Sequence, residues 1–394
     1  MPPSPPHQTR PWAIFLIFLR LGLTSFGGPV AHLGYFRAEF VTRRRWLSER
    51  SYADLMALCQ FLPGPASSQV GIALGLSQAG YRGALAAWLG FTLPSALALI
   101  VLALGLEYVG DGLPSGALHG LKVAAVAVVA QAVWGMGRSL CPDTLRVSLM
   151  ALVACLVLSV PGPWMPLGAL VLSAVLGARL CKPPSAGPVE PLPIAISPRA
   201  GCIWLLIFAA LLIGLPILAR LFPVPPLVLA DAFFRAGSMI FGGGHVMLPL
   251  LDVEVVQTGW VSPSTFLAGY GATQMMPGPL TTFAGFLGAS IFGWWGGVLG
   301  LLAIFAPAFL LVFGALPFWE RLRTNRRMQA AMLGINAGVV GLLLAALYRP
   351  LWTGAIARPE DFALGLLALV ALMFWKLPPW LVVMSAALIG AVWS

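Results

Sequence analysis

The sequence predicts an all-α polytopic membrane protein made of two inverted-topology repeats with re-entrant or broken helices. Three observations carry this expectation. Hydrophobic residues make up 59% of the 394-residue chain and charged residues 9%, with a mean hydropathy of +0.91, whereas a soluble domain carries about 25% charged residues. One pattern is written twice: FLRLGLTSFGGPVAHLG at 18–34 and FFRAGSMIFGGGHVMLP at 233–249, then QFLPGP at 60–65 and QMMPGP at 274–279. Pro94 pairs with Pro307 in the same way, and Gly120-Leu121-Lys122 with Gly334-Ile335-Asn336. Finally, the basic connections are swapped between the copies, and paired halves of this kind are the signature of secondary transporters with a site at the repeat interface.

Along the chain, residues 1–11 lack the basic segment, apolar core and small-residue cleavage site of a signal peptide. They read as a disordered tail, and the first apolar segment is expected to stay in the mature protein. Residues 12–181 form the first repeat and 182–200, rich in proline, a cytoplasmic linker. Residues 201–225 form a crossing helix that turns the second half over, and 226–394 form the second repeat.

Charge sets the orientation. The connection at 35–54 carries Arg37, Arg43, Arg44, Arg45 and Arg50, which argues for the cytoplasmic side, while its counterpart at 252–264 has Asp252 and Glu254 and no basic residue. The connection at 317–329 carries Arg321, Arg323, Arg326 and Arg327, and its counterpart at 108–118 has none. The second arginine-rich connection returns to the inside only if the glycine and PGP segments of each half enter and leave without crossing. The prolines would break straight helices there in any case. Re-entrant hairpins are therefore expected at 12–34, 54–79, 227–250 and 265–290. Full spans are expected near 83–107, 119–138, 146–160, 163–180, 202–221, 292–316, 330–348, 361–376 and 378–394. The net charge of +10 belongs to short loops and serves orientation, so no nucleic-acid partner is expected.

The five cysteines, Cys59, Cys141, Cys155, Cys181 and Cys202, have no metal-ligand spacing and read as small hydrophobes. No metal and no cofactor are expected, and no Walker motif signals an ATP-driven pump.

The repeated blocks point to an oxyanion. Broken helices at membrane depth expose N–H groups, tolerated only inside protein or along a cavity. Glycines such as Gly27, Gly28, Gly242, Gly243 and Gly244 let backbone approach a ligand, and a helix N-terminus favours an anion. The turns Pro63-Gly64-Pro65 and Pro277-Gly278-Pro279 are each followed by hydroxyls, Ser67 and Ser68 in one half and Thr281 and Thr282 in the other. Arg20 and Arg235 each stand seven residues before the first glycine of the pair, on its helical face. An intramembrane arginine marks a functional site by default, and its planar fork suits a tetrahedral oxyanion. Snorkelling, or pairing with Glu39 or Glu254, is the structural alternative. Glu39 and Glu254 match in register and are candidates for hairpin capping, for holding the arginine or for proton coupling. Gln60 and Gln274 match too, as donors or as packing contacts, while Lys122 and His245 are lesser candidates for attracting the anion.

At these residues the chain resembles the chromate ion transporter family, in particular its long, two-domain members. The resemblance rests on FGGP with the following histidine and glycine (26–34), PGP (63–65), FGGGHVMLPLL (241–251) and QMMPGP (274–279), and it covers nearly the whole chain. It implies a carrier in the cytoplasmic membrane of a bacterium that exports chromate and also recognises sulfate. On this resemblance Arg20, Gly27, Gly28, Pro63, Gly64 and Pro65 match the family pattern in one half. Gly242, Gly243, Gly244, Pro277, Gly278 and Pro279 match it in the other. The linker is short, and no appended soluble domain is expected. A permease for sulfate or another oxyanion is the alternative within transport. An intramembrane enzyme acting on lipid phosphate is the alternative from another class, disfavoured by the lack of an obvious nucleophile–base pair.

Overall fold

The computed structural model describes residues 9–109, 115–160, 165–183, 196–241 and 243–393, with the single positions 162, 192 and 194. Most of the 182–200 linker, residues 1–8 of the expected tail and Gly242 lie outside them. Among the described residues all regular structure is helical.

Each repeat opens with a broken pair. Helix α1 (Pro11–Thr24) stops before the glycines and α2 (Gly28–Phe36) follows, running on through a π-helical turn at Arg37–Arg43. Helix α3 (Glu49–Phe61), N-capped by the Ser48 hydroxyl, ends at the first PGP, and α4 (Ala66–Val109) starts after it. The first three helices of this plan recur in the second repeat as α9 (Pro225–Ser238), α10 (Met247–Leu251) and α11 (Pro263–Thr273). The intervening elements are α5 (Ser115–Leu140), α6 (Thr144–Ser159), α7 (Met165–Leu180) and α8 (Pro198–Leu221). The chain continues through α12 (Phe283–Ala315), the fourth helix of the second copy, α13 (Trp319–Thr324) and α14 (Arg326–Ala346). It ends with α15 (Thr353–Ala355), α16 (Pro359–Met373) and α17 (Pro379–Trp393). The arginine-rich connection at 35–54, expected as a loop, is helical as far as Arg43. The Glu39 carboxylate holds the turn by accepting from Arg43 (3.0 Å) and Arg44 (2.6 Å). Burial pushes that carboxyl up, and the two arginines more than offset it, leaving it below the usual carboxylate range. Helix α8 starts at Pro198, earlier than expected, because Ser197 caps it and proline suits the first turn.

Helices α4 and α12 are hairpins rather than rods. Ala79 and Gly80 break α4 with φ −145°, ψ 28° and φ 59°, ψ −151°; Phe292 and Gly293 break α12 with φ −134°, ψ 30° and φ 61°, ψ −152°. The chain doubles back there, so that Gly75 lies on the Gly83 carbonyl and Gly288 on the Gly296 carbonyl. In a continuous helix residues eight apart are about 12 Å apart. The expected turnarounds near 79–83 and 290–292 thus stand in the structure with the same dihedral signature in both copies.

Packing repeats as well. Gly22 of α1 seats on the backbone of Phe91, and Gly237 of α9 on that of Ile304. Gly120 of α5 meets Ala386 of α17, as Gly334 of α14 meets Ser173 of α7. Small residues that let helix backbones approach are the means of association in a membrane, where lipid removes the usual hydrophobic drive. Among the described residues five helical stretches are long and apolar enough to cross, Ala66–Leu106, Gly116–Leu140, Pro198–Leu221, Leu280–Thr324 and Arg326–Ala355, the first and fourth of them folded back at their glycine turns. Helix α8 leaves Ile203, Leu206, Ile213 and Leu221 more than half exposed, as a lipid-facing span requires. The protein is an all-α, multi-pass membrane protein.

Both arginine-rich connections lie at one end of the molecule. Arg323 donates to Asp54 (2.7 Å), tying α13 to the start of α3. At the α5–α6 connection, Cys141, Leu149, Ala337 and Val340 pack together, with Cys181 against them, so the ends of α5 and α7 and the first half of α6 gather against the middle of α14.

Candidate functional site

The helix breaks of the two repeats are stitched to each other. The Gly64 N–H donates to the Ile240 carbonyl (2.6 Å), and the Gly278 N–H donates to the Ser25 carbonyl (3.0 Å). Gly64 and Gly278 are repeat counterparts, and so are Ser25 and Ile240, so each PGP turn is anchored to the residue before the FGG motif of the other half. Glycine is needed at both turns. Their φ values are +131° and +95°, and a Cβ on Gly278 would press on Ser95 and on the Phe91 carbonyl.

Beside this junction lies a cavity of about 850 Å³. Gly27, Gly28 and Pro29 line it from one repeat, and Gly243, His245, Gln274, Gly278 and Leu280 from the other. Gln60 joins them from the end of α3. The remaining wall comes from one face of α5, including Gln131, Gly135 and Ser139, and from Asn336 of α14 and Pro379 of α17. A second cleft of about 530 Å³ shares Gly27, Gln131 and Pro379 with it, and Lys376 stands in its wall.

The lining is neutral among the described residues: no Lys, Arg, Asp or Glu faces the 850 Å³ cavity. It nevertheless offers donors. The Gln274 Nε2 is buried with no hydrogen-bond partner, whereas the unpartnered Asn336 Oδ1 of the same lining is an acceptor and adds none. Helix α2 begins here with Gly27 and Gly28 at φ +102° and +77°, and no side chain caps it. Its first N–H groups and positive dipole end therefore face the cavity. The Nδ1 of His245 bonds the buried Tyr270 hydroxyl (2.8 Å), which fixes the ring while its Nε2 edge looks toward Gly28. Such a set is chemically able to hold an anion through hydrogen bonds and dipoles without a fixed countercharge.

The sequence-derived candidates divide accordingly. Gly27, Gly28, Gly243, Gly278, Gln60, Gln274 and His245 meet at the cavity. Gly64 and the prolines Pro63, Pro65, Pro277 and Pro279 belong to the two turns but are not part of its wall, and Gly244 packs on Leu280. The hydroxyls of Ser67, Ser68, Thr281 and Thr282 are buried away from its wall; that of Thr282 donates to the Pro279 carbonyl (2.6 Å). Lys122 is half-buried outside the lining, although its counterpart Asn336 belongs to it.

The arginines part company. Arg20 is exposed on α1, on a face that does not reach the cavity. Arg235 is clasped by two carboxylates, donating to Asp231 (3.0 Å) and bidentately to Glu254 (2.7 and 2.9 Å). The structure thus brings neither guanidinium to the cavity wall. Glu39 and Glu254 both act as arginine holders, the first within the π turn and the second on Arg235. Gln131, Ser139, Asn336 and Tyr270 join the site without having been singled out as candidates. Gln131 had a legible signal, a lone amide within the apolar run 123–137.

Known proteins share this duplicated plan. The family described as chromate transporter matches residues 12–178 and, separately, 227–391. The chain belongs to the chromate transporter family. It is 29% identical over 359 residues to a chromate transport protein of Pseudomonas aeruginosa, covering 86% of this chain and 80% of that protein. It is 28% identical over 397 residues to a probable chromate transport protein of Synechococcus elongatus, covering 96% and 94%. It is 28% identical over 422 residues to a chromate transport protein of Cupriavidus metallidurans, covering 99% and 98%. No solved structure matches the chain.

Proposed function

We propose that this transporter carries chromate out of the cytoplasm by alternating access, with the cavity between the repeats as its binding site and sulfate as a competing tetrahedral dianion. The single observation that supports this most is the neutral, donor-bearing lining at the junction of the two PGP turns. Family membership and the functions for which the relatives are named supply the chromate. The cavity takes in Ser139 and Leu140 at the end of α5, beside Arg138 and Arg146 of the basic α5–α6 connection, which the positive-inside rule assigns to the cytoplasm. In this reading the described state is open inward and loads from there, in the inner membrane of a bacterium. A dianion leaving a negative interior gains about 2.3 kcal/mol per charge per 100 mV, so the membrane potential suffices as a driving force.

Chromate uptake into inverted vesicles, with an imposed potential and with excess sulfate, tests the reading. Saturable, potential-dependent uptake that sulfate depresses is the expected result; uptake no greater than in empty vesicles removes chromate as the cargo. Sulfate carried in preference to chromate would make the protein a sulfate permease.

Gln274→Leu tests the site. A hydrogen bond to a charged group contributes about 1.5–3 kcal/mol. The variant is therefore expected to lose about ten- to a hundred-fold in uptake at low chromate, with unchanged protein in the membrane. Uptake like wild type would remove Gln274 from the binding set.

A further inference from the structure

A third cavity, of about 520 Å³, lies at the opposite end of the molecule and shares no lining residue with the other two. We propose that it is the release vestibule, the repeat counterpart of the path by which the anion loads. This rests on the carrier reading.

The walls correspond position by position. The α5 residues of the central cavity from Val128 to Met136 recur in this one 214 residues later, from Leu342 to Pro350, by the same offset that carries Gly120 to Gly334. The α16–α17 turn closes the 530 Å³ cleft, which in this reading is the loading cleft, and the α6–α7 turn closes this one. The first π-helical segment follows the glycines of one repeat; the second, at Asp252–Val256, follows those of the other and forms the third wall here. Inverted repeats place such counterparts on opposite faces of the membrane. The difference between the two is their reach. The loading cleft touches Gly27, whereas none of the described residues of the FGG and PGP motifs lines this cavity. One path is connected to the site and its twin is shut, which is the geometry of a carrier open on one side.

The polar groups suit release. Asp252 is buried, with Gln257 donating to one oxygen (3.2 Å) and the other oxygen unpartnered. A buried carboxylate oxygen without a partner is costly in a dry cavity and is satisfied by water. The carboxylate also repels a dianion, so the anion is not retained, while Arg349, where the loading path has Gly135, offsets that barrier. The two ends therefore differ in sign pattern: a lysine without a carboxylate in the loading cleft, an arginine with a carboxylate in this one.

Cysteine labelling tests the vestibule without depending on flux. In the full chain with the exposed Cys155 and Cys202 changed to alanine, Val253→Cys and Leu158→Cys are each exposed to a membrane-impermeant maleimide. The expected result is labelling of both from the outer face of intact cells, and of Gln131→Cys only in inverted vesicles. Labelling of Val253→Cys and Leu158→Cys solely from the cytoplasmic face, or from neither, overturns the proposal. Arg349→Gln is expected to raise the chromate concentration for half-maximal exchange about tenfold at the outer face and less than twofold at the inner; equal changes at both faces overturn its role. Outer labelling in a protein that moves no chromate would keep the vestibule and refute the cargo. Chromate flux without outer labelling would keep the cargo and refute the vestibule.

Discussion

Arg235→Gln is expected to destabilise the folded protein by about 3–5 kcal/mol, the usual result of removing one partner from a buried ion network. Arg20→Gln, at the equivalent position of the other repeat, is expected to change stability by no more than about 0.5 kcal/mol, as exposed substitutions do. Asp231 and Glu254 are about one-tenth exposed and would be left as uncompensated neighbouring carboxylates once the guanidinium is gone. In the first repeat the place of Asp231 is taken by Leu16, and Glu39 is already occupied by Arg43 and Arg44. Arg20 therefore has nothing to neutralise. Thermal unfolding of the purified proteins in detergent reads the difference. The triple change Arg235→Met, Asp231→Leu and Glu254→Gln, which removes the whole network, should recover most of the loss. Equal destabilisation by the two single changes would show that the copies are equivalent here after all. Chromate uptake by Arg20→Gln at the wild-type level is the matching functional expectation.

Gly75→Val and Gly288→Val are expected to abolish accumulation of folded protein. At both sites the added carbons would run into the carbonyl of the returning arm, Gly83 in one copy and Gly296 in the other. Overpacking a core with side chains that can shift costs about 1–3 kcal/mol. Here the obstacle is backbone, held by the hairpin turns at Gly80 and Gly293, so relief would require the arms to separate. Gly214→Val on α8, where nothing lies within 4 Å of the added Cβ, is the control and should accumulate normally. Gel filtration of fluorescently tagged variants distinguishes the outcomes. Monodisperse, wild-type amounts of Gly288→Val would mean that α12 does not double back.

The two sets of changes also separate what was readable in the chain from what was not. The hairpins were readable. Glycines and prolines act on their own backbone, so PGP and FGG announce a break wherever they fall, and the apolar run after each break is long enough to show where the chain can return. The pairing of the copies was readable too, because repeated motifs at matching offsets need no knowledge of contacts. The arginines misled for a definite reason: Arg20 and Arg235 match in register, but a repeat in sequence does not repeat the partners. The decisive residues, Asp231 and Leu16, differ between copies four positions away, within the same helices.

The membrane class, the two inverted copies, the places where helices break and the family to which the chain belongs were determined by the sequence alone. The membrane class and the breaks come from composition and local backbone preference, the inverted copies from repeated motifs and connection charge, and the family from the resemblance of those motifs. Only the tertiary structure decided which polar groups share a cavity. Gln131 and Asn336 come from helices some 200 residues apart, and His245 is held by Tyr270. The face that each helix turns inward is set by backbone-to-backbone glycine contacts such as Gly120 on Ala386 and Gly334 on Ser173. A helix's rotation about its own axis is a property of its neighbours, and no local pattern encodes it.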